Sequence, residues 1–142
     1  ESDSHKKVMQ HGKYDMNVLA RAGIALRGVA YDTMLESYVL DSIATRHNMD
    51  DLAKKYLDYS TISFEELAGK GANQITFNQI SVETAAVYAA EDADITLRLH
   101  ETLWPQLCAE SALQTVLETI EMPLVPVLSR IERNGVLVDG KI

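Results

Sequence analysis

Tyr88 and Asp92 stand four residues apart in the run Tyr88-Ala89-Ala90-Glu91-Asp92. On a helix they share one face, about one turn from each other. An aspartate so placed can take a divalent cation while the tyrosine hydroxyl holds a water beside it, the arrangement that metal-assisted hydrolysis needs. A second carboxylate, Asp15 in Lys13-Tyr14-Asp15, opens another helical stretch. There the positive end of the helix dipole favours an acid in any case. Neither feature is specific alone, since Tyr and Asp four apart recur in many helices as a half-buried ring and a solvated acid. Asp32 reads as structural, the residue ahead of a helix cap, and Asp41 and Asp94 have no evident partner. Local spacing leads to a mainly helical domain with carboxylate chemistry and no further.

The elements that would carry these residues are mostly helices. Tyr14 to Ala22 has helical composition and stops at Gly23, a good residue just past a helix end. Gly28-Val29-Ala30-Tyr31 is the best strand candidate. Thr33-Met34-Leu35-Glu36 has the form of a capping box and predicts a helix to Leu40. Asn48 and Asp50 are cap candidates for a helix to about Leu57, with Leu52, Ala53, Tyr56 and Leu57 as its apolar face. Ser63-Phe64-Glu65-Glu66 is a second capping box, for a short helix ending near Gly69, and residues 70–74 form a loop.

The longest helix should run from about Val82 to Leu103, capped by Ser81 with Glu83 in its first turn. Its alanines (85, 86, 89, 90 and 93) suggest close packing, and Pro105 suggests a break or kink. Ser111 to Gln114 has a third capping-box form and opens a helical stretch to about Arg133, interrupted or kinked at Pro123 and Pro126 and ended by Gly135. Val136-Leu137-Val138 is a strand start, and Trp104, Met49 and Met122 are expected in the core. One strand cannot make a sheet, so either the fold is mostly helical or further strands lie outside this sequence.

Composition narrows the class. The 142 residues allow one modest domain with a real core, and 46% apolar residues fit a globular chain. No window approaches the run of about 20 apolar residues that spans a membrane. The polar first residues, Glu1 to Lys7, lack a signal core and read as a cut inside a larger protein. A single cysteine, Cys108, excludes an internal disulfide, and a cytoplasmic location is expected. A net charge of −8 argues against gripping nucleic acid by bulk positive charge. It is compatible with a nuclease, whose clustered carboxylates hold cations that then meet phosphate.

The whole string is more specific than any one motif. Tyr31 to Tyr38 (Tyr-Asp-Thr-Met-Leu-Glu-Ser-Tyr), Phe64 to Gly71, Tyr88 to Asp94 and Ile120 to Leu128 stand in the order seen in the bacterial DNA polymerase I family (family A). From about Val8 onward the chain resembles that family's proofreading 3′–5′ exonuclease domain, and Arg130 to Gly135 resembles the start of its polymerase domain. The resemblance implies an α/β, ribonuclease-H-like fold. It divides the chain into residues 1–110, the later two-thirds of the exonuclease domain, and 111–142, the start of the polymerase domain.

The family's site uses four acidic residues and a tyrosine from three motifs. Asp15 falls on the second motif's aspartate, and Tyr88 and Asp92 on the third motif's tyrosine and aspartate. The first motif, Asp-x-Glu on an early strand, is expected upstream of Glu1, so the chain by itself is expected to be inactive and marginally stable. The resemblance implies two Mg²⁺ or Mn²⁺ ions roughly 4 Å apart, with Asp15 and Asp92 among their ligands. Tyr88 would orient the attacking water, and nucleoside 5′-monophosphates would leave from DNA 3′ ends.

By the same resemblance, Gln10, His11, Tyr14, Arg46 and Phe64 line the groove for a single-stranded 3′ end, the parent also holding primer-template DNA. Arg46 can pair with phosphate, and Tyr14 and Phe64 can stack on any base. Without the family, Arg46 would read as a surface charge and Phe64 as a helix-start staple. The second motif departs from the usual Gln-Asn-Leu-Lys-Tyr-Asp: His11 replaces an amide and Gly12 an apolar residue. A ribonuclease-D-like RNA exonuclease and a non-catalytic polymerase domain are the competing readings.

Overall fold

The computed structural model describes residues 2–71 and 74–139, so part of the expected loop at 70–74 lies outside the described residues. Strand β1 (Lys7–Met9) leads into helix α1 (Gly12–Arg21), and β2 (Val29–Asp32) returns parallel to β1. Val8 pairs with Tyr31 and Met9 with Asp32, with an irregularity after the Lys7–Val29 pair. The sequence pointed to β2 alone, because β1 is three residues long in a polar run and has no alternation to betray it. Gly23 (φ 75°) ends α1, its N–H bonding Ala20 and that of Ile24 bonding Leu19. At Gly28 (φ 73°) the backbone passes so close to His5 that a Cβ would sit 2.6 Å from its carbonyl oxygen.

Helices α2 (Thr33–Leu40), α3 (Met49–Leu57) and α4 (Phe64–Ala68) follow. Asn48 caps α3, while Asp50 stands in its first turn. Ser63 and Glu66 form the expected capping box of α4. The capping box read at Thr33 does not form. Asp32 is the cap of α2, its Oδ1 accepting from Met34 N at 3.0 Å, and Glu36 turns inward instead. Glu36 is fully buried and meets His100 Nδ1 at 2.7 Å. Tyr31 lies over His100, ring centroids 4.4 Å apart, and half-buried Trp104 packs edge-on against Tyr31 at 4.9 Å.

Helix α5 (Val82–Ala109) is the longest element and the spine of the core. Ser81 caps it as expected. Ile95, Leu99, Leu103 and Leu107 recur every four residues and are all at most 1% exposed. The first three pack with Leu52 and Ala53 of α3, flanked by Leu40, Met49, Tyr56 and Leu57. Burying each large side chain contributes about 1.5–3 kcal/mol.

Helix α5 is not broken at its proline, and its alanines are not packed as expected. It runs through Pro105 unbroken, because Leu103 and Leu107 on either side of the proline are both pinned in the core. Its alanines do not pack closely: Ala86, Ala89, Ala90 and Ala93 are exposed and Ala85 is half-buried.

After α6 (Ser111–Val116) the helix widens into a π turn (Leu117–Glu121) and narrows again as α7 (Met122–Asn134). The third capping box is not made; Glu110 precedes α6 without a side-chain bond, and Gln114 reaches forward to Glu118. The helix is not interrupted at Pro126, which lies inside α7, while the π turn stands just ahead of Pro123, whose missing N–H costs little in a first turn. Gly135 (φ 71°) ends α7. Val136 to Val138 form no strand among the described residues and stand exposed.

Candidate active site

Asp15 and Asp92 line one cavity of about 580 Å³. Its walls come from the end of β1 (Val8, Met9), from Gln10, from α3 (Met49) and from α5 (Ala93, Thr96, Leu97), with Lys6 also at the lining. Two carboxylates from distant stretches thus face the same space, on a largely apolar wall. Burial raises the pKa of each above the ordinary carboxylate value. For Asp15 the charge of Asp32 adds to the rise and that of His11 opposes it. For Asp92 the charges of Glu91 and Asp50 add to the rise, and a hydrogen bond from Tyr88 opposes it.

The chain positions these acids by two different means. Asp92 rides on α5, one turn before the buried stripe Ile95-Leu99-Leu103. Its neighbour Glu91 accepts from the Tyr59 hydroxyl and the Ile62 N–H, each at 2.7 Å, fastening the segment before α4 to the same turn. Asp15 rides on α1, whose start is held by a carboxylate from another strand. The buried Asp32 accepts from His11 N at 3.1 Å and Gly12 N at 2.7 Å, as well as from Met34. One side chain therefore ties the first turns of α1 and α2 to the end of β2. The sequence reading of Asp32 as a residue merely ahead of a cap missed this; an Asp ending a strand and followed by Thr was the only signal.

Gly12 is buried, and a Cβ there would lie 2.8 Å from the Met9 Cβ. Met9 occupies the room that a larger residue at position 12 would need. His11, at the helix start, holds a left-handed conformation (φ 59°), which L-residues adopt at a cost and which Asn tolerates better.

Tyr88 sits beside Asp92 but outside this cavity's lining. Its ring faces Phe77 at 6.3 Å and lines an apolar hollow with Ile62, Leu67 and Val87. Burial first, then the charge of Asp92, raise its pKa, so the hydroxyl keeps its proton at neutral pH. Gln10 lines the cavity with the two aspartates, its amide donating to the His47 carbonyl at 3.0 Å and accepting from the Thr33 hydroxyl. His11 and Tyr14 stack on each other at 6.0 Å beside the cavity, Tyr14 61% exposed. Arg46 is almost fully exposed and pairs with Asp51 at 3.9 Å, and Phe64 is exposed at the start of α4; neither lines the cavity.

Lys6, a cation at the cavity over the Tyr31 ring, was not signalled by any motif. Met49, expected in the core, serves both the core and the cavity, and Met122 is half-buried near α1.

The donor set suits part of a hard-cation site. Asp15 and Asp92 offer carboxylate oxygens to the cavity, the donor type that hard divalent cations prefer, with Lys6 the one cation among the described residues of its lining. Among the described residues no group of three or more His, Cys, Asp or Glu side chains converges to hold a metal. Any remaining ligands must therefore be water, phosphate oxygens or groups beyond those described. No helix among the described residues is long and apolar enough to cross a membrane.

Comparison with known proteins places the chain in a family. Residues 1–108 match the 3′–5′ exonuclease family. The whole chain is 67% identical to part of DNA polymerase I from Pseudomonas aeruginosa, covering 16% of that protein. It is 46% identical to part of DNA polymerase I from Rhizobium leguminosarum, covering 14% of it. The chain thus spans about one-sixth or less of the length of these relatives. Among solved structures, the polymerase domain of Pol1 from M. smegmatis, in complex with DNA primer-template and dNTP, superposes with a TM-score of 0.68 at 25% identity, over 97% of this chain and 20% of that one.

Proposed function

This chain belongs to the 3′–5′ exonuclease family carried by bacterial DNA polymerase I, with its ribonuclease-H-like α/β fold, and on that footing we propose that it forms part of a proofreading site that removes nucleotides from DNA 3′ ends. The observation that supports this reading is the shared cavity of Asp15 and Asp92, with Tyr88 one helical turn before the second of them on α5. Residues 1–110 form the exonuclease part and 111–142 the beginning of the polymerase domain; the family match to residue 108 and the end of α5 at Ala109 favour that boundary.

Asp15 and Asp92 would hold Mg²⁺ or Mn²⁺ together with ligands from outside the described residues. Such an ion would lower the pKa of a bound water, making hydroxide available to attack a phosphodiester, and would supply a counter-charge for the leaving 3′ oxygen. The chain's own residues do the rest. Tyr88 keeps its proton and so acts by donating a hydrogen bond, orienting groups beside Asp92 rather than serving as a base. Val8, Met9, Met49 and Leu97 give the cavity an apolar wall, which strengthens charge interactions beside it. Gln10, held by His47 and Thr33, presents a fixed amide edge to the strand end. Tyr14 and His11 offer exposed rings for stacking, and Arg46 and Phe64 extend the DNA path beyond the cavity. Net charge of −8 fits a partner met through cations and stacking at a single-stranded 3′ end, in the cytoplasm.

The test is to make Asp15→Ala and Asp92→Ala in the full-length polymerase that carries this segment. Release of nucleoside 5′-monophosphate from 3′-labelled single-stranded DNA should fall by at least about 100-fold while primer extension persists. Nuclease activity undiminished in both variants would sink the assignment. The relatives are DNA polymerases, and no observation favours the RNA-directed or the non-catalytic reading.

A further inference from the structure

The two carboxylates are anchored unequally. Asp92 stands on a helix fixed by the main core. Asp15 stands on α1, a helix of ten residues in which only Gly12 is buried and which contributes nothing to that core. Apart from the Asp32 tie at its first turn, α1 rests chiefly on α7. That interface is loosely filled: two cavities, of about 280 and 190 Å³, lie along it, lined by Met16 and Ala20 on one side and by Ser129, Arg133, Val125 and Pro126 on the other. Polar contacts bridge it. Lys13 pairs with Glu132 Oε1, Asn17 Nδ2 donates to Glu132 Oε2 at 2.8 Å, and the fully buried Ser129 hydroxyl donates to Asn17 Oδ1 at 2.7 Å.

Lys13 and Asn17 are four apart and share one face of α1, whereas Asp15 lies roughly 200° round from Lys13, on the opposite face. The helix is thus gripped from behind by α7 while its front carries the site's acid. Helix α7 lies beyond residue 108, past the part of the chain that matches the exonuclease family.

We infer that Glu132 is a positioning residue for Asp15, acting through Lys13 and Asn17, so that the segment after the exonuclease part sets the geometry of the nuclease cavity. A shift of α7 away from α1 would withdraw Asp15 from Asp92 without touching either. This rests on the proofreading reading above and deepens it, by making the site responsive to the neighbouring part of the chain.

The test uses the full-length polymerase carrying this segment, with Lys13→Glu, Glu132→Lys, the double charge swap and Glu132→Gln. Asp15→Ala serves as the reference. Each single reversal should raise the Mn²⁺ concentration for half-maximal nucleotide release roughly tenfold, with primer extension and thermal midpoint unchanged. The double swap should recover most of the loss, and Glu132→Gln, which keeps an acceptor for Asn17, should show a smaller rise. Single reversals that match the parent, or a double swap no better than the worse single, would overturn the inference. So would a nuclease loss that merely tracks a fall in thermal midpoint. If Asp15→Ala keeps full nuclease activity, the site assignment itself fails and the clamp has nothing to position.

Discussion

Replacing Glu36 by Gln should remove one large contribution to the fall of the protein's stability as pH rises. The Glu36 carboxyl is fully buried between α2 and α5, one oxygen 2.7 Å from His100 Nδ1 and the other without a hydrogen-bond partner. Burial, and then the charge of Asp32, push its pKa up from 4.5 to about 8, while burial pushes His100 down. An acid whose pKa rises on folding contributes fully below its ordinary value, and that contribution is lost as pH climbs toward the folded value. The window here is therefore pH 4.5 to about 8. At about 1.4 kcal/mol per unit the loss cannot exceed about 5 kcal/mol, and relaxation of the buried site reduces it to about 2–3 kcal/mol.

Gln mimics the protonated acid. Urea denaturation should find Glu36→Gln near the parent at about pH 5 and more stable by about 2–3 kcal/mol at about pH 8.5. The difference between the two proteins isolates Glu36 from every other titrating group. Parallel curves, or a Gln variant equally weakened at both pH values, would refute the reasoning.

Gly12→Ala should cost about 1–3 kcal/mol in urea denaturation, since its Cβ would meet Met9 at 2.8 Å, and Met9→Gly should relieve part of that cost in the double variant. Asp32→Asn turns an acceptor facing the Gly12 N–H into a donor or forces a flip, so a loss of about 2–3 kcal/mol is expected, read as a lower thermal midpoint. Titration of the 142-residue chain with Mn²⁺ should show only weak binding, in the millimolar range, because two carboxylates are too few for a hard cation. Tight binding by calorimetry would mean that the donor count is wrong.

The helices were legible where their signals are local. Asn48, Ser63 and Ser81 cap in the structure as their sequence contexts suggest, and Gly23 and Gly135 end helices with the positive φ that glycine permits. The capping boxes read at Thr33 and Ser111 fail because a side chain has a better use elsewhere: Asp32 caps in place of Thr33, Glu36 is drawn to His100, and Gln114 to Glu118. Strand β1 escaped notice because three residues carry no periodicity; only its pairing with β2 defines it. Of the site, Asp15, Asp92 and Gln10 were named from the resemblance and do meet in one cavity. Lys6, and the hold of Asp32 on α1, depend on tertiary approach, which spacing along the chain cannot express.

The wide turn at Leu117–Glu121 also sets a phase. A π turn amounts to one extra residue inserted into an α-helix, and each α-helical residue advances the side-chain direction by about 100°. Winding these five residues as ordinary α-helix, with none removed, would let α6 run straight into α7, but every later side chain would then point about 100° away from its present bearing. Ser129 and Glu132 would swing off the back of α1, and the half-empty seam behind Asp15 would lose its fasteners. The extra residue thus keeps the fasteners of the site in phase from a distance, through angle alone.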